Sequence, residues 1–205
     1  MRTYDPLQLD VSRETLARLE RYAETLQRWN RSINLVAPST LSEFWQRHIL
    51  DSVQVFDQAP KYARHWVDLG SGGGLPGMVC AILAAEAMPK CQFTLVESDK
   101  RKSAFLMTAA QSLGLSLAVL PERAEQLAPL QADVISARAL AALPQLLSFV
   151  SRHLKPDGVA LLPKGKAYEQ ELAAASSEWQ FDVKLVKSQT DTLARILIIK
   201  ELCRG

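Results

Sequence analysis

Cysteine and histidine are scarce in this sequence. Its three cysteines, Cys80, Cys91 and Cys203, show no Cys-x-x-Cys spacing. Neither a disulfide framework nor a zinc site is therefore indicated. The three histidines are equally scattered along the chain, so we expect no bound metal ion.

A long apolar segment is also missing. The longest uncharged stretch, 69–85, carries five glycines and a proline in its first nine positions. It is too short and too broken to cross a bilayer. The N-terminus lacks the apolar run of a secretory signal, and we expect a cytoplasmic protein without membrane contact.

Neither sign of charge dominates. Lys and Arg total 24 against 22 for Asp and Glu, a net charge of +2, so overall charge does not by itself predict nucleic-acid binding. The 205 residues, 48% hydrophobic and 22% charged, suit one ordinary globular α/β domain. We expect a monomer.

The first sixty residues have a helical pattern. Apolar residues recur every three or four positions from Leu16 to Ile33, which predicts an amphipathic helix ended by Pro38. Thr40 and Glu43 fit a capping box, and a second apolar stripe predicts a helix over 41–56. We expect a helical extension, 1–60, and one Rossmann-like domain, 61–205, in a single compact unit.

Short apolar runs alternate with helical stretches beyond Trp66. Strands are predicted over 66–69, 93–96, 117–120, 134–136 and 159–162, and helices over 76–85, 100–113 and 140–153. This succession predicts a mainly parallel sheet with helices on both faces.

The two last predicted strands, 181–186 and 193–200, are separated by only six residues. A crossover needs more, so the two strands should pair antiparallel. The predicted fold is a mainly parallel seven-stranded α/β sheet with an antiparallel C-terminal strand. This is typical of Rossmann-like class I S-adenosylmethionine-dependent methyltransferases, whereas dinucleotide dehydrogenases usually continue parallel.

A glycine-rich segment, 68–77, joins the first predicted strand to the first helix of the sheet. Residues without a Cβ let the backbone approach a nucleoside, and the helix N-terminus offers free N–H groups. Its Gly72-x-Gly74-x-x-Gly77 pattern also satisfies the dinucleotide fingerprint, a weak motif on its own. Three interpretations stay open: S-adenosylmethionine binding, dinucleotide binding, and a turn needed only for packing.

Two acidic residues accompany the loop. Asp68 precedes it, and a carboxylate there suits the cationic amino group of S-adenosylmethionine and would repel a pyrophosphate. Glu97, at the end of the second strand, can accept hydrogen bonds from both ribose hydroxyls, although NAD sites also use an acid there. Asp68 and the hairpin favour S-adenosylmethionine.

Four more candidates follow later strands. Ala124 and Glu125 can offer a backbone N–H and a carboxylate to an adenine edge, or they simply begin a solvated helix. Arg138 and Lys164 come after the fourth and fifth strands, at the edge where open α/β sheets bind ligands. Two cations there favour an anionic substrate, and a structural ion pair is the alternative.

A combination of motifs is more specific than the loop alone. It comprises Trp29-Asn30 with Asn34-Leu35, Arg47-His48-Ile49-Leu50-Asp51-Ser52, the loop 68–77, Arg138-Ala139 and Lys164-Gly165. Over 29–200, the chain resembles the 16S rRNA guanine-N7 methyltransferases, formerly called glucose-inhibited division protein B.

The resemblance implies S-adenosylmethionine as cofactor and 16S rRNA or the small ribosomal subunit as partner. It implies methylation at N7 of the guanine at position 527. It also implies cofactor contacts from Gly70, Leu75, Ala124, Glu125 and Arg138, to which the loop pattern adds Gly72. Where many members carry serine or threonine, this chain has Ala137.

The resemblance leaves the substrate side less defined. Arg47, His48 and Asp51 fall in the second predicted helix, where we expect substrate contacts or helix-to-sheet packing; Lys164 is a further substrate candidate. Guanine N7 has a free lone pair, so no general base is required. An NAD(P)-binding oxidoreductase and a non-catalytic S-adenosylmethionine-dependent RNA-binding module remain alternatives.

Overall fold

A computed structural model describes residues 9–205; residues 1–8 of the predicted extension lie outside this range. The first helix, α1, spans Arg13–Asn30. The Ser12 hydroxyl caps its start by accepting the N–H of Thr15. The Asn30 side chain ends it, because its oxygen accepts the N–H groups of Leu35 and Val36, at 2.8 and 3.0 Å.

The predicted helix over 41–56 is partly wrong. The chain forms a 3-10 turn, a π-helical turn and α2, at Pro38–Thr40, Trp45–Leu50 and Asp51–Asp57. Thr40 and Glu43 make no capping box. The Thr40 hydroxyl instead donates to the carbonyl of Ala37 at 2.7 Å, so regular helix begins only after the π-helical turn.

Within residues 9–205, seven strands form one sheet, as the sequence predicts. They are β1 His65–Leu69, β2 Gln92–Val96, β3 Leu117–Leu120, β4 Ala132–Ala137, β5 Leu154–Lys164, β6 Trp179–Lys187 and β7 Arg195–Arg204. Their order is β3-β2-β1-β4-β5-β7-β6. Strands β1 to β5 pair in parallel, and β7 runs antiparallel to both β5 and β6, which confirms the antiparallel C-terminal strand.

The remaining helices connect the strands. They are α3 Gly77–Ala87, α4 Lys100–Leu113, α5 Leu143–His153 and α6 Tyr168–Ala175. Helix α5 begins three residues later than the sequence indicated, which leaves 138–142 as a loop at the edge of the sheet. Helix α6 was not predicted. No helix within residues 9–205 is both long and apolar enough to span a bilayer.

The N-terminal helices share a hydrophobic core with the sheet. Trp66 of β1 is fully buried, with its ring stacked 6.2 Å from Phe56 of α2 and 5.3 Å from Phe93 of β2. Side chains of α1, including Tyr22 and Leu26, join the same cluster. This packing holds the segment before α2 close to the carboxyl ends of the strands.

Candidate functional site

Two adjoining cavities lie at the carboxyl ends of the parallel strands. The glycine-loop cavity, of about 360 Å³, is lined by residues that include Gly70, Gly72, Leu75, Glu97, Ala124 and Glu125. The hairpin cavity, of about 500 Å³, is lined by residues that include Arg47, Asp51, Gln54, Lys164, Thr190 and Arg195. Arg138, Ala139 and Leu140 line both and form their shared wall. Cavities of this volume suit small ligands.

The glycine loop presents open backbone to its cavity. Gly72 has φ +55°, and a Cβ placed on it would meet nothing nearer than the Gly70 carbonyl oxygen at 3.9 Å. This backbone conformation favours glycine. The Tyr22 hydroxyl holds the loop from behind by donating to the carbonyl of Gly73. A ligand can therefore approach the Gly72 backbone without displacing protein atoms.

Glu97 lies at the end of β2 and lines the same cavity. One carboxylate oxygen accepts the N–H of Gly72 at 2.7 Å, and the other accepts the N–H of Asp99 at 2.8 Å. Each oxygen retains a second lone pair for a ligand hydroxyl. The residue thus orders the loop and faces the ligand space at once.

Asp68 lies beneath the loop and lines neither cavity. It is 1% exposed, and its Oδ1 accepts the Ser136 hydroxyl, which in turn accepts the Trp66 indole N–H. Burial raises the pKa of Asp68 to about 6, with the Ser136 hydrogen bond opposing the shift. The carboxylate fits there because Gly77 has no Cβ; one would lie 2.6 Å from Oδ2.

Ala124 and Glu125 belong to a 3-10 turn at the rim of the glycine-loop cavity. The buried His153 imidazole fixes this segment, because Nε2 lies 2.8 Å from the Ala124 carbonyl and Nδ1 accepts the N–H of Leu130. Arg152 donates two further hydrogen bonds to the carbonyl of Leu127, three residues after Ala124. Sequence reasoning missed both supports, because nothing local links α5 to this turn.

Arg138 follows β4 on the wall between the cavities. Ala139, with φ +55°, turns the chain there. The Arg138 guanidinium donates from Nη1 to Nδ1 of His48 at 3.1 Å. His48 is 8% exposed and lines neither cavity, so it lies behind Arg138 and not at the substrate side proper.

The hairpin cavity collects three of the predicted substrate-side residues, Arg47, Asp51 and Lys164. Lys164 is already paired: its ammonium contacts Glu171 at 2.7 Å and the Ala141 carbonyl at 3.0 Å. The structural ion pair considered from sequence is therefore present.

Asp51 has no such ion pair among the described residues. Its Oδ1 accepts the hydroxyl of Thr190, from the loop between β6 and β7. Burial raises the pKa of Asp51, and the Thr190 hydrogen bond opposes the shift. Thr190 and Arg195 are cavity residues that sequence reasoning missed, although the hairpin that carries them was predicted.

No metal centre is evident in the part of the chain that the structure describes. No group of three or more His, Cys, Asp or Glu side chains there is arranged to bind an ion. The glycine-loop cavity, by contrast, fits an adenosine-type ligand. It offers open backbone at Gly72, a carboxylate acceptor at Glu97, and a backbone turn at Ala124.

Comparison with known proteins agrees with this geometry. The family model for rRNA small subunit methyltransferase G matches residues 15–197. A relative of that name from Ruegeria pomeroyi is 53% identical over 196 residues, covering 96% of each chain. Another from Paramagnetospirillum magneticum is 46% identical over 195 residues, covering 95% of this chain and 93% of the relative.

Solved structures support the fold. The mitomycin 7-O-methyltransferase MmcR superposes with a TM-score of 0.59 at 19% identity, covering 94% of this chain and 70% of that one. An S-adenosylmethionine-dependent methyltransferase from Aquifex aeolicus has a TM-score of 0.59 at 14% identity, and the match covers 86% of this chain and 97% of that one. Neither the oxidoreductase nor the non-catalytic alternative gains support from these comparisons. The chain belongs to the rRNA small subunit methyltransferase G family.

Proposed function

We propose that this protein transfers a methyl group from S-adenosylmethionine to N7 of guanine 527 in 16S rRNA. The cofactor binds in the glycine-loop cavity and the guanine enters the hairpin cavity. The observation that carries this proposal is the wall that the cavities share, formed by Arg138, Ala139 and Leu140. Reactants bound in two cavities that share lining residues lie side by side, and this arrangement favours a direct transfer.

The cofactor side is assigned from the lining residues. Glu97 accepts the ribose hydroxyls while its hydrogen bond to Gly72 keeps the loop in place. The backbone at Gly70, Gly72 and Leu75 approaches the nucleoside, and Ala124 with Glu125 faces the adenine edge. When bound, S-adenosylmethionine supplies an electrophilic methyl group.

Asp68 acts from beneath the loop in this proposal. One oxygen of its carboxylate, Oδ2, has no hydrogen-bond partner among residues 9–205. A buried charge exerts a stronger field than an exposed one, so an ionised Asp68 attracts the cationic cofactor without touching it. This replaces the direct contact that the sequence suggested.

The substrate side requires alignment and no proton transfer. The in-plane lone pair of guanine N7 would attack the methyl carbon as the carbon–sulfur bond breaks and S-adenosylhomocysteine leaves, so the contribution of the protein is orientation and exclusion of water. Arg138 holds donors toward both cavities and can bind an acceptor of either reactant. Arg47, exposed at the hairpin cavity, suits an RNA phosphate.

A mapped transfer assay tests this function. Purified protein is incubated with methyl-labelled cofactor and undermethylated small subunits or their naked 16S rRNA, and the label is located by cleavage at N7-methylguanine. We expect one labelled guanine, at position 527. Label on an exocyclic amine, on another nucleotide, or on no ribosomal RNA contradicts the proposal.

A further inference from the structure

We propose that His48 is a positioning residue that fixes the guanidinium of Arg138 on the wall between the two cavities. The unprotonated Nδ1 of its imidazole is the atom that does so. The inference rests on the proposed function only in its activity readout. It gives the segment before α2 a direct part in the transfer site.

A directed chain of hydrogen bonds sets the state of the imidazole. A guanidinium can only donate, so Nδ1 of His48 must accept from Arg138 at 3.1 Å. The proton then lies on Nε2, which donates to the Thr40 hydroxyl at 2.8 Å. The Thr40 hydroxyl in turn donates a hydrogen bond to the Ala37 carbonyl at 2.7 Å. Every donor in the chain has an acceptor only with this tautomer.

The surroundings keep the imidazole neutral and fixed. Burial, together with the charges of Arg138 and Arg47, lowers the pKa of His48 to about 4. Its ring packs against Phe44, with 5.3 Å between centroids. The Ser52 hydroxyl donates to its backbone carbonyl at 2.7 Å, so both ring and backbone are held.

Arg138 depends on this one bond for its orientation. Among residues 9–205, the His48 imidazole is the only hydrogen-bond partner of its side chain, and it has no ion pair. Its other N–H groups therefore remain free for ligands on the shared wall. Without the acceptor at Nδ1, the long side chain can rotate away from the position where the two reactants meet.

Two near-isosteric variants separate positioning from packing. In His48→Asn, the amide oxygen can occupy the place of Nδ1 and accept from Arg138, but the contact with Thr40 is lost. In His48→Gln, the amide nitrogen can reach the place of Nε2 and keep Thr40, but the acceptor for Arg138 is lost. A packing role alone would make the two variants equally defective.

We expect His48→Gln to lower kcat about tenfold, since a hydrogen bond to a charged group is lost. His48→Asn should retain most of the wild-type kcat, with similar melting temperatures in the two variants. Equal losses of kcat in both variants, or full activity in His48→Gln, would overturn the inference. Adding His48→Gln to Arg138→Met, which has no donor for Nδ1, should cost nothing more, and additive losses would contradict the coupling.

A spectroscopic readout keeps this inference distinct from the proposed function. Long-range ¹H–¹⁵N spectra, assigned by comparison with His48→Gln, should show His48 at neutral pH with Nε2 protonated and Nδ1 bare. If the wild-type protein methylates no N7 position, the proposed function fails while this result still stands. If Nδ1 carries the proton, the inference about His48 fails whatever the activity.

Discussion

The carboxylate of Glu97 accepts the N–H of Gly72 at 2.7 Å, so the end of β2 holds the loop that follows β1. The same carboxylate accepts the N–H of Asp99 at 2.8 Å. Two neighbouring parallel strands are thus joined at the ligand cavity by one side chain. The cofactor affinity and the order of the loop should therefore depend on the same residue.

Glu97→Gln should weaken cofactor binding and also destabilise the glycine loop. An amide has one acceptor oxygen, so one of the two backbone N–H groups would lose its partner. We expect the Kd for S-adenosylmethionine to rise about tenfold or more, and the free energy of unfolding to fall by about 1–3 kcal/mol. Calorimetric titration and urea unfolding measure the two. Glu178→Gln, at an exposed side chain, is the control, and an unchanged Kd in Glu97→Gln would contradict the assignment.

Alanine at Gly72 should mainly weaken cofactor binding, whereas alanine at Gly77 should mainly destabilise the fold. At Gly72 a methyl group enters open cavity, although φ +55° strains it by about 1–2 kcal/mol; cofactor affinity should fall strongly in a folded protein. At Gly77 the methyl group would lie 2.6 Å from both Cβ and Oδ2 of Asp68, so the fold should lose about 1–3 kcal/mol or more.

Thermal unfolding and cofactor titration of both variants test this pair. Gly165→Ala is the control for stability, since no heavy atom lies within 4 Å of the added Cβ. Full cofactor affinity in Gly72→Ala would mean that the ligand does not approach this part of the loop.

The sheet was predictable because its strands carry local signals. Buried parallel strands appear as short apolar runs, and the six residues between the last two predicted strands are too few for a crossover, which leaves antiparallel pairing. Helix α6 has little such signal: only Tyr168 and Ala175 of its eight residues are buried. The π-helical turn at Trp45–Leu50 was not predicted either. Thr40 and Glu43 have the spacing of a capping box, but the Thr40 hydroxyl bonds the Ala37 carbonyl and the His48 imidazole instead.

The sequence indicated several residues that line the cavities, but it did not indicate where their side chains point. Glu97 and Arg138, which the strand ends indicated, both line the glycine-loop cavity. The sequence could not show that Asp68 points beneath the loop, because its direction depends on Ser136 of a neighbouring strand. It also could not show His48 behind Arg138, a contact between residues ninety positions apart.

We expect Lys164 to stabilise the fold through its ion pair and not to bind the substrate. Its ammonium binds Glu171 at 2.7 Å, and the same Glu171 oxygen accepts the N–H of Leu143 at the start of α5. The lysine side chain is only 10% exposed. Removing one partner of such a pair leaves the other charge unpaired, so Lys164→Met should lower the free energy of unfolding by about 3 kcal/mol.

Urea unfolding measures the predicted loss of stability in Lys164→Met, with Lys166→Met as the control. Lys166 is exposed, and its loss should change stability little. The KM for RNA should stay near the wild-type value at a temperature where Lys164→Met is folded. A stable Lys164→Met protein with a raised KM would restore Lys164 as a substrate contact.

Ionisation of Asp68 should lower the free energy of unfolding as the pH rises. Its pKa is raised from an ordinary 3.8 to about 6 in the folded protein, so the folded state binds the proton more tightly than the unfolded chain. Between these two values the unfolded chain is ionised and the folded one is not, and each unit of pH costs stability. The full loss is about 3 kcal/mol, and it is constant above the folded pKa.

Asp68→Asn should remove this slope. The difference in free energy of unfolding between variant and wild type, measured in urea from pH 3.5 to 7.5, should shift in favour of the variant by up to about 3 kcal/mol as the pH rises. Taking the difference cancels the other titrating groups. Asp133→Asn should shift the opposite way. Burial tends to raise the pKa of Asp133, but Lys155 and two backbone N–H groups outweigh it and lower that pKa.

The same variant separates the two roles of Asp68. If its charge attracts the cofactor from beneath the loop, Asp68→Asn binds S-adenosylmethionine more weakly at pH 7.5 while its stability improves relative to the wild type. The wild-type affinity should also fall below pH 6, where the carboxyl group becomes neutral. A flat stability difference would show that Asp68 is ionised at low pH despite its burial, and pH-independent affinity would remove it from the cofactor site.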